Sequence, residues 1–333
     1  MNRRLIAIVG LAGILLSGSV GRAADAPSPM KTAGAELVTL GTGGGPSYRL
    51  KRAMTSSAIV IGDDIYLIDT GDGLLRQMAA AGLSLAKVRA VFITHHHFDH
   101  NADLGPMIAY RWLGTTYSPL PVIGPPMTRE MVSHLMLAYR SIELAPITIG
   151  GPAAPSMADT VDARDLPDDM YLPKLVYEDK NVRVSAVLND HYHFPEASDA
   201  NRLSRSYALR FDTATRSIVF TGDTGPSTRV ESLARNADIL ISEVIDLERI
   251  EKALRDGEGA DKAFIDGLVE HLRRDHLTPA DVGRLAVTAK VGEVVLSHIV
   301  PGWDEETDLG VYSRGVAKVF DGPVHVARDL DRF

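Results

Sequence analysis

The sequence predicts an α/β protein in which two β-sheets pack together and helices cover their outer sides. Two observations lead to this prediction. Strand-like segments follow one another early in the chain, and strand-like and helix-like segments alternate later. The composition agrees, because 45% of the residues are hydrophobic and can form a large core.

Individual elements follow from apolar runs and the turn residues between them. Segments 58–61 and 65–68 are separated by Gly62-Asp63-Asp64, which predicts a β-hairpin. Further strands are predicted at 36–40, 88–94, 182–188, 207–211, 217–220, 239–242 and 293–296. Helices are predicted at 74–81, 101–112, 128–139, near Val230, and at 261–273 and 279–289. The segment 145–173 is rich in Pro, Gly, Ala and Asp, which predicts a loop or mobile flap.

The N-terminus has the pattern of a secretory signal. Arg3 and Arg4 precede an apolar run at 5–16 that is too short for an ordinary membrane span, and alanines follow at 23, 24 and 26. An uncleaved anchor is the alternative. We therefore expect a signal peptide at 1–23, a flexible lead-in at 24–35 and one domain at 36–333. The mature protein would be periplasmic or secreted, with no stable membrane span.

The composition limits the chemistry. The chain contains no cysteine, which excludes disulfides, thiolate metal ligands and a cysteine nucleophile. Any metal must therefore be held by histidine and carboxylate side chains. No Gly-x-Ser-x-Gly motif is present, so a serine nucleophile is poorly supported. The formal net charge of −8 predicts a surface that repels polyanions unless a local basic patch exists.

The strongest motif is His95-His96-His97-Phe98-Asp99-His100, which directly follows the predicted strand 88–94. Alternate residues of an extended segment share a direction, so His95 and His97 could serve one metal while Asp99 and His100 turn toward a second. Such ligands favour zinc in a catalytic site, although manganese and iron accept the same donors. A solvated polar loop is the alternative interpretation.

Four further groups lie next to predicted strands or helices. His191, Asp223 and His298 follow strands, and His276 precedes a helix, so convergence on one rim is plausible. Each alone could equally be a cap, a packed residue or a surface group. His193 lies two residues after His191, and which of the two binds metal stays open. The remaining histidines are expected to point away from the metals or to be helix-surface or packing residues: His96, His134, His271 and His325.

The combined pattern resembles the metallo-β-lactamase superfamily over residues 36–300. The motif His95-x-His97-x-Asp99-His100 is followed by His191, Asp223 and His298 in the order of that superfamily. Shorter motifs resemble its ribonuclease Z and arylsulfatase-like branch: those at 41–46, 68–73, 207–210, 242–244 and 276–278. The resemblance implies a four-layer αβ/βα sandwich, the metallo-β-lactamase fold.

The resemblance also implies the roles of the site residues. Two Zn²⁺ ions would be bound, the first by His95, His97 and His191, the second by Asp99, His100 and His298, with Asp223 and a nucleophilic hydroxide bridging both. His276 would stabilise or protonate the leaving group, and Glu243 would orient it. The catalytic residues are therefore predicted to be His276, Asp99 and Glu243. Asp69 would support a ligand histidine from outside.

These features predict a binuclear zinc hydrolase of small esters, with aryl sulfates or phosphodiesters as the preferred substrates. The alternatives are a lactonase, a ribonuclease Z-type endonuclease, a β-lactamase and a non-catalytic zinc-binding protein. The predicted export and the acidic segment 141–171 argue against RNA. The expected partner is a small-molecule ester and not nucleic acid, and a homodimer is possible. Trp112 and Tyr117 are expected to form an apolar pocket wall, with core packing as the alternative.

Overall fold

The computed structural model describes residues 34–145, 153–257 and 261–333. The predicted signal peptide lies outside these residues. Ala33–Phe333 forms one compact unit. Among the described residues, we find no helix whose length and hydrophobicity would suffice to cross a membrane.

The strands of the described residues form two mixed sheets, and in each sheet neighbouring strands are consecutive in the chain. The first sheet contains β1 (Ala35–Gly41), β2 (Ser56–Ile61), β3 (Asp64–Ile68), β4 (Val88–Phe92), β5 (Leu120–Gly124) and β6 (Val161–Asp165). The second contains β7 (Lys174–Glu178), β8 (Val182–Leu188), β9 (Tyr207–Thr213), β10 (Ser217–Phe220), β11 (Ile239–Ile245), β12 (Glu293–Val300) and β13 (Val324–Val326).

Both sheets repeat one plan, an antiparallel meander followed by parallel strands. β1 to β3 pair antiparallel, and β3 to β6 pair parallel. Likewise, β7 to β10 pair antiparallel, and β10 to β13 pair parallel. Parallel neighbours need a crossover, usually a helix, so the helices are carried to the outer faces of the sheets.

The helices of the described residues connect these strands. They are α1 (Leu74–Ala80), α2 (Phe98–Asn101), α3 (Leu104–Leu113), α4 (Thr128–Ala138), α5 (Arg140–Glu143), α6 (Asp199–Leu203), α7 (Thr228–Leu233), α8 (Leu247–Asp256), α9 (Lys262–Asp275), α10 (Pro279–Ala289) and α11 (Gly310–Val316). The predicted helix 101–112 is in fact divided between α2 and α3. This division lets the end of the histidine motif turn away from the strand direction.

Three apolar layers hold the sheets and helices together. Adjacent strand residues point to opposite faces, so Leu37 joins the layer between the sheets while Val38 packs under the outer helices. In the second sheet, Ile241 faces inward and Leu240 outward. The rings of Phe92 and Phe211 meet edge to face across the sheets, with centroids 5.1 Å apart. This αββα arrangement confirms the predicted four-layer sandwich.

The segment 145–173 differs from its prediction, although its residues 146–152 lie outside the described ranges. It contains β6, which pairs parallel with β5 from Leu120↔Val161 onward. The prediction of a loop or flap is therefore wrong for this part. An edge strand that is rich in charge gains its β-structure from main-chain pairing with its neighbour rather than from its own apolar pattern.

Candidate metal centre

The histidine motif is held by Asp69 at the end of β3. The Asp69 carboxylate accepts hydrogen bonds from the Thr94 backbone N–H at 2.8 Å and from the Thr94 hydroxyl at 2.9 Å. Its Oδ2 also lies 2.8 Å from Nδ1 of His100. The carboxylate therefore fixes both ends of the motif and leaves Nε2 of His100 free to bind a metal. The expected support of a ligand histidine by Asp69 is present in the structure.

One group of predicted ligands comes from both sheets. His95, His97, His191 and Asp223 each offer an atom within 4.8 Å of the others. Nδ1 of His97 lies 3.3 Å from Nε2 of His191, and Nε2 of His95 lies 3.8 Å from Oδ2 of Asp223. The side-chain nitrogens and oxygen of this group thus converge on one point.

The second group lies directly beside the first. Asp99, His100 and His298 form another set within the same distance limit. Nε2 of His298 is 3.2 Å from Oδ2 of Asp99 and 3.2 Å from Oδ2 of Asp223. Nε2 of His100 is 3.4 Å from the other oxygen of Asp223. Asp223 therefore lies between the two groups, as a bridging carboxylate must, while the assignment of each residue as a ligand stays a prediction.

The predicted ligands from the second sheet lie at its rim. His191 follows β8 and Asp223 follows β10. His298 differs from the prediction because it lies within β12 and not after it. The β11–β12 register shifts between Ser242 and Val244, and His298 has a φ of 44°, in the left-handed region. This bulge turns the imidazole toward the centre.

The backbone of the glycine-rich turn after β1 lies in close contact with the second group. The Gly45 N–H donates to Oδ2 of Asp99 at 2.7 Å. A Cβ atom at Gly45 would lie 2.4 Å from Cγ of Asp99, and one at Gly44 would lie 2.7 Å from the His298 ring. Glycine is therefore required at both positions by close approach of the backbone.

The donor atoms fit a metal ion. Four buried atoms of the two ligand groups have no hydrogen-bond partner among the described residues: Nε2 of His95, Nε2 of His100, Oδ1 of Asp223 and Nδ1 of His298. Burial lowers the pKa of His191 to about 3, so its imidazole is neutral, as coordination requires. Burial alone would raise the pKa of Asp223, but His298 and His100 hold it well below its usual range. A neutral His191 imidazole and an ionised Asp223 carboxylate are donors suited to zinc.

His276 lies beside both groups without joining either. Its Nδ1 is 2.7 Å from Oε2 of Glu243, whose Oε1 accepts from the Thr224 N–H at 2.6 Å. Burial would lower the pKa of His276, but the Glu243 carboxylate outweighs it and raises this pKa to about 9. Glu243 thus contacts Nδ1 of the ring and not Nε2, while the catalytic roles of His276 and Glu243 stay predictions.

A cleft of about 400 Å³ opens onto the centre. It is lined by Gly45, Pro46, Met54, His97, Phe98, Asp99, Asp223, Leu268, His271, Leu272, His276 and His298. The predicted wall of Trp112 and Tyr117 is wrong. Trp112 is buried under the outer helices, and its indole N–H donates to the Pro155 carbonyl at 2.9 Å. These residues pack the α3 side of the first sheet, so the rim of the cleft is built by α9 instead.

The structure separates His191 from His193. His191 belongs to the first ligand group, whereas Nδ1 of His193 lies 2.6 Å from Oδ1 of Asp275. His271, expected to be a surface or packing residue, lines the cleft, and its Nδ1 lies 2.6 Å from Oδ2 of Asp275. His271 and Asp275 are four residues apart in α9, which extends two residues beyond the predicted helix 261–273, and this spacing is a signal that could have revealed the pair.

The sandwich fold and the buried histidine and carboxylate cluster at its rim define a class of protein, the metal-dependent hydrolases of ester bonds. The sequence profile described as "Beta-lactamase superfamily domain" matches residues 65–299. The chain therefore belongs to the metallo-β-lactamase superfamily, in its ribonuclease Z-like branch.

Individual relatives agree with this family. Ribonuclease Z of Mycolicibacterium paratuberculosis (strain ATCC BAA-968 / K-10) is 27% identical over 314 residues, which cover 89% of this chain and 97% of the relative. The metallo-β-lactamase fold protein YhfI from Bacillus subtilis has a TM-score of 0.61 at 20% identity, covering 90% of this chain and 98% of its own. Human tRNase Z, short form, has a TM-score of 0.60 at 19% identity, with coverages of 90% and 98%.

The relatives correct the expected partner. The prediction of a small-molecule ester substrate with no nucleic-acid partner is wrong, because the matching relatives are ribonucleases Z. That prediction depended on the predicted export, on the acidic residues between 141 and 171 and on the overall charge. In the described part of that segment, no acidic residue lines the cleft.

Proposed function

We propose that this chain is a two-zinc phosphodiesterase that cleaves the backbone of RNA, as its ribonuclease Z relatives are named to do. The observation that carries the proposal is the position of Asp223 between two ligand groups at the floor of a cleft that also contains His276. The alignment with ribonuclease Z over 89% of the chain supports a phosphodiester rather than an aryl sulfate or a lactone.

The two ligand groups divide the metal-binding residues. His95, His97 and His191 would hold one ion, Asp99, His100 and His298 the other, and Asp223 would touch both. Bound zinc would lower the pKa of water and stabilise negative charge on the phosphoryl oxygens. Imidazole-rich sites in a chain without cysteine favour zinc, and elemental analysis distinguishes it from manganese and iron.

Two side chains of the protein, His276 and Glu243, would assist departure of the leaving oxygen. Glu243 holds Nδ1 of His276, so Nε2 is the nitrogen that can deliver a proton to the departing ribose oxygen. Thr224 binds the other oxygen of Glu243 and so joins this pair to the chain segment that carries Asp223. The ring of His276 is therefore positioned relative to the metal centre before any substrate enters.

Substrate turnover by the zinc-loaded protein tests the proposal. The substrates are a precursor tRNA, a bis-aryl phosphodiester, a chromogenic aryl sulfate, a lactone and a cephalosporin. We expect cleavage of the precursor tRNA and of the bis-aryl phosphodiester, loss of both activities after chelation and recovery of both with zinc. Faster turnover of the sulfate, the lactone or the cephalosporin than of either phosphodiester would overturn the proposal.

We also propose, from the sequence pattern alone, that residues 1–23 direct export to the periplasm or medium. Expression of the full chain with determination of the N-terminus of the recovered protein tests this proposal. A mature protein that begins near residue 24 in the exported fraction supports it. An intact N-terminus in a cytoplasmic product contradicts it.

A further inference from the structure

Asp275, the last residue of α9, is the centre of a polar cluster beside the metal centre. Its buried carboxylate binds Nδ1 of His193, Nδ1 of His271 and the guanidinium of Arg274, at distances of 2.6 to 3.0 Å. Its backbone carbonyl lies 3.0 Å from Nδ1 of His191. We call these residues the Asp275 cluster: His193, His271, Arg274 and Asp275. The cluster thus connects a predicted metal ligand to the wall of the cleft.

The negative charge of Asp275 is balanced by Arg274 and does not require either histidine. Arg274 already places two nitrogens on the carboxylate, at 2.8 and 3.0 Å. The side chain of His271 is 40% exposed, whereas that of Asp275 is 1% exposed. A role in stability therefore accounts poorly for a histidine that is anchored at one nitrogen and open at the other.

The geometry presents Nε2 of His271 to the cleft. An ionised carboxylate can only accept, so the Nδ1 atom that faces Asp275 carries the hydrogen. Nε2 has no hydrogen-bond partner among the described residues. The His271 ring lies 5.9 Å from the His276 ring, centroid to centroid, and lines the same cleft between Leu268 and Leu272. It is therefore a polar group between two leucines on the α9 wall, close to the predicted leaving-group histidine.

We propose that His271 is a substrate-binding residue whose Nε2 contacts the ribose–phosphate backbone next to the scissile phosphate, and that Asp275 is its positioning residue. This inference rests on the proposed cleavage of RNA. Both a ribose 2′-hydroxyl and a phosphate oxygen suit an imidazole nitrogen, and both recur along the strand. A small diester without ribose lacks the neighbouring group and does not benefit from the contact.

The test compares His271→Ala and His271→Gln with the wild type on an RNA substrate and on a bis-aryl phosphodiester. The control is His134→Gln, because His134 is an exposed histidine on α4 outside the cleft. We expect kcat/KM on RNA to fall about 5- to 100-fold, as for the loss of one hydrogen bond to a neutral or charged group. The change should lie mainly in KM, exceed the change on the small diester at least fivefold, and leave the zinc content at the wild-type value.

Two further arms identify the contact. Asp275→Asn retains the backbone carbonyl beside His191 but weakens the hydrogen bond that holds the His271 ring. The double variant with His271→Ala should therefore lose no more kcat/KM on RNA than His271→Ala alone. A second RNA substrate carries a single 2′-deoxy residue beside the cleavage site. If the 2′-hydroxyl is the partner of His271, the wild type and His271→Ala should cleave this RNA equally well. If a phosphate is the partner, His271→Ala should still cleave it more slowly than the wild type.

Equal losses on RNA and on the small diester, or no loss on RNA in either His271 variant, would overturn the inference while the proposed function stands. A wild-type protein that hydrolyses the small diester but not RNA would overturn both. Full additivity of Asp275→Asn and His271→Ala would remove Asp275 as the positioning residue.

Discussion

The two sheets supply the metal centre in different ways. The first sheet delivers four predicted ligands from one short segment after β4, which includes the first residues of α2, and Asp69 at the neighbouring strand end holds that segment by hydrogen bonds. The second sheet delivers single residues from separate strands, His191, Asp223 and His298, with His276 before α10. The first half of the centre thus depends on a local motif, whereas the second half depends on the register of several strands.

The largest effect is expected at Asp223, the residue from the second sheet that lies between both ligand groups. Asp223→Ala should lower the bound zinc from about two equivalents to one or less. It should also reduce hydrolysis by on the order of 1,000-fold or more, beyond the ~10- to 100-fold of losing a ligand's outer partner. Elemental analysis and turnover of the zinc-supplemented protein measure both, with the exposed Asp199→Ala as control. Two tightly bound ions in Asp223→Ala would show that this carboxylate does not bridge.

A smaller loss of activity is expected for His276, which lies at the same rim of the second sheet and is not a predicted metal ligand. His276→Ala should keep its zinc and lose roughly 100- to 10,000-fold in kcat, the usual worth of a positioned acid. The loss should shrink for diesters with good leaving groups, which need less protonation. Leaving-group dependence and zinc content are measured together. Loss of zinc from this variant would instead make His276 a ligand and would extend the contribution of the second sheet.

The first sheet is tested through Asp69. Asp69→Asn should weaken the more loosely held zinc about 10- to 100-fold, because His100 loses the carboxylate that orients it from behind. Competition with a chromophoric chelator measures this affinity. Unchanged affinity would mean that the loop after β4 is preorganised without Asp69, and the contrast between the two sheets would become sharper.

The smallest effects on zinc binding and stability are expected for two glycine substitutions, which are compared with each other. Gly45→Ala should weaken zinc binding by roughly tenfold, because its Cβ would press on Asp99. Gly267 lies on the exposed face of α9, where an added Cβ would meet no atom within 4 Å. Gly267→Ala should therefore stabilise the fold by ~0.5–1 kcal/mol. Denaturant unfolding and zinc titration of both variants decide. Equal behaviour of the two would show that the turn after β1 does not constrain the centre.

The contiguous features of the chain were predictable because local spacing determines them. The motif at 95–100 follows a strand in the structure as the sequence predicts, and the strands of the meander that opens the first sheet follow from apolar runs separated by turn residues. In the second meander, β8, β9 and β10 were predicted and β7 was not. β6 was not predictable in this way, since its charged sequence becomes a strand only by pairing with β5. The wall of the cleft was also missed, because α9 meets the centre only after the chain has crossed both sheets.

The sequence by itself determined the donor chemistry: histidine and carboxylate ligands, no thiolate, and a glycine-rich turn next to the first strand. Only the tertiary structure decided which histidine joins the centre. His191 and His193 share a strand end and a residue type, and they differ in whether the ring faces His97 or Asp275. The physical reason is that residue type fixes what an atom can bind, whereas strand register, a bulge at His298 and the packing of α9 fix where that atom lies.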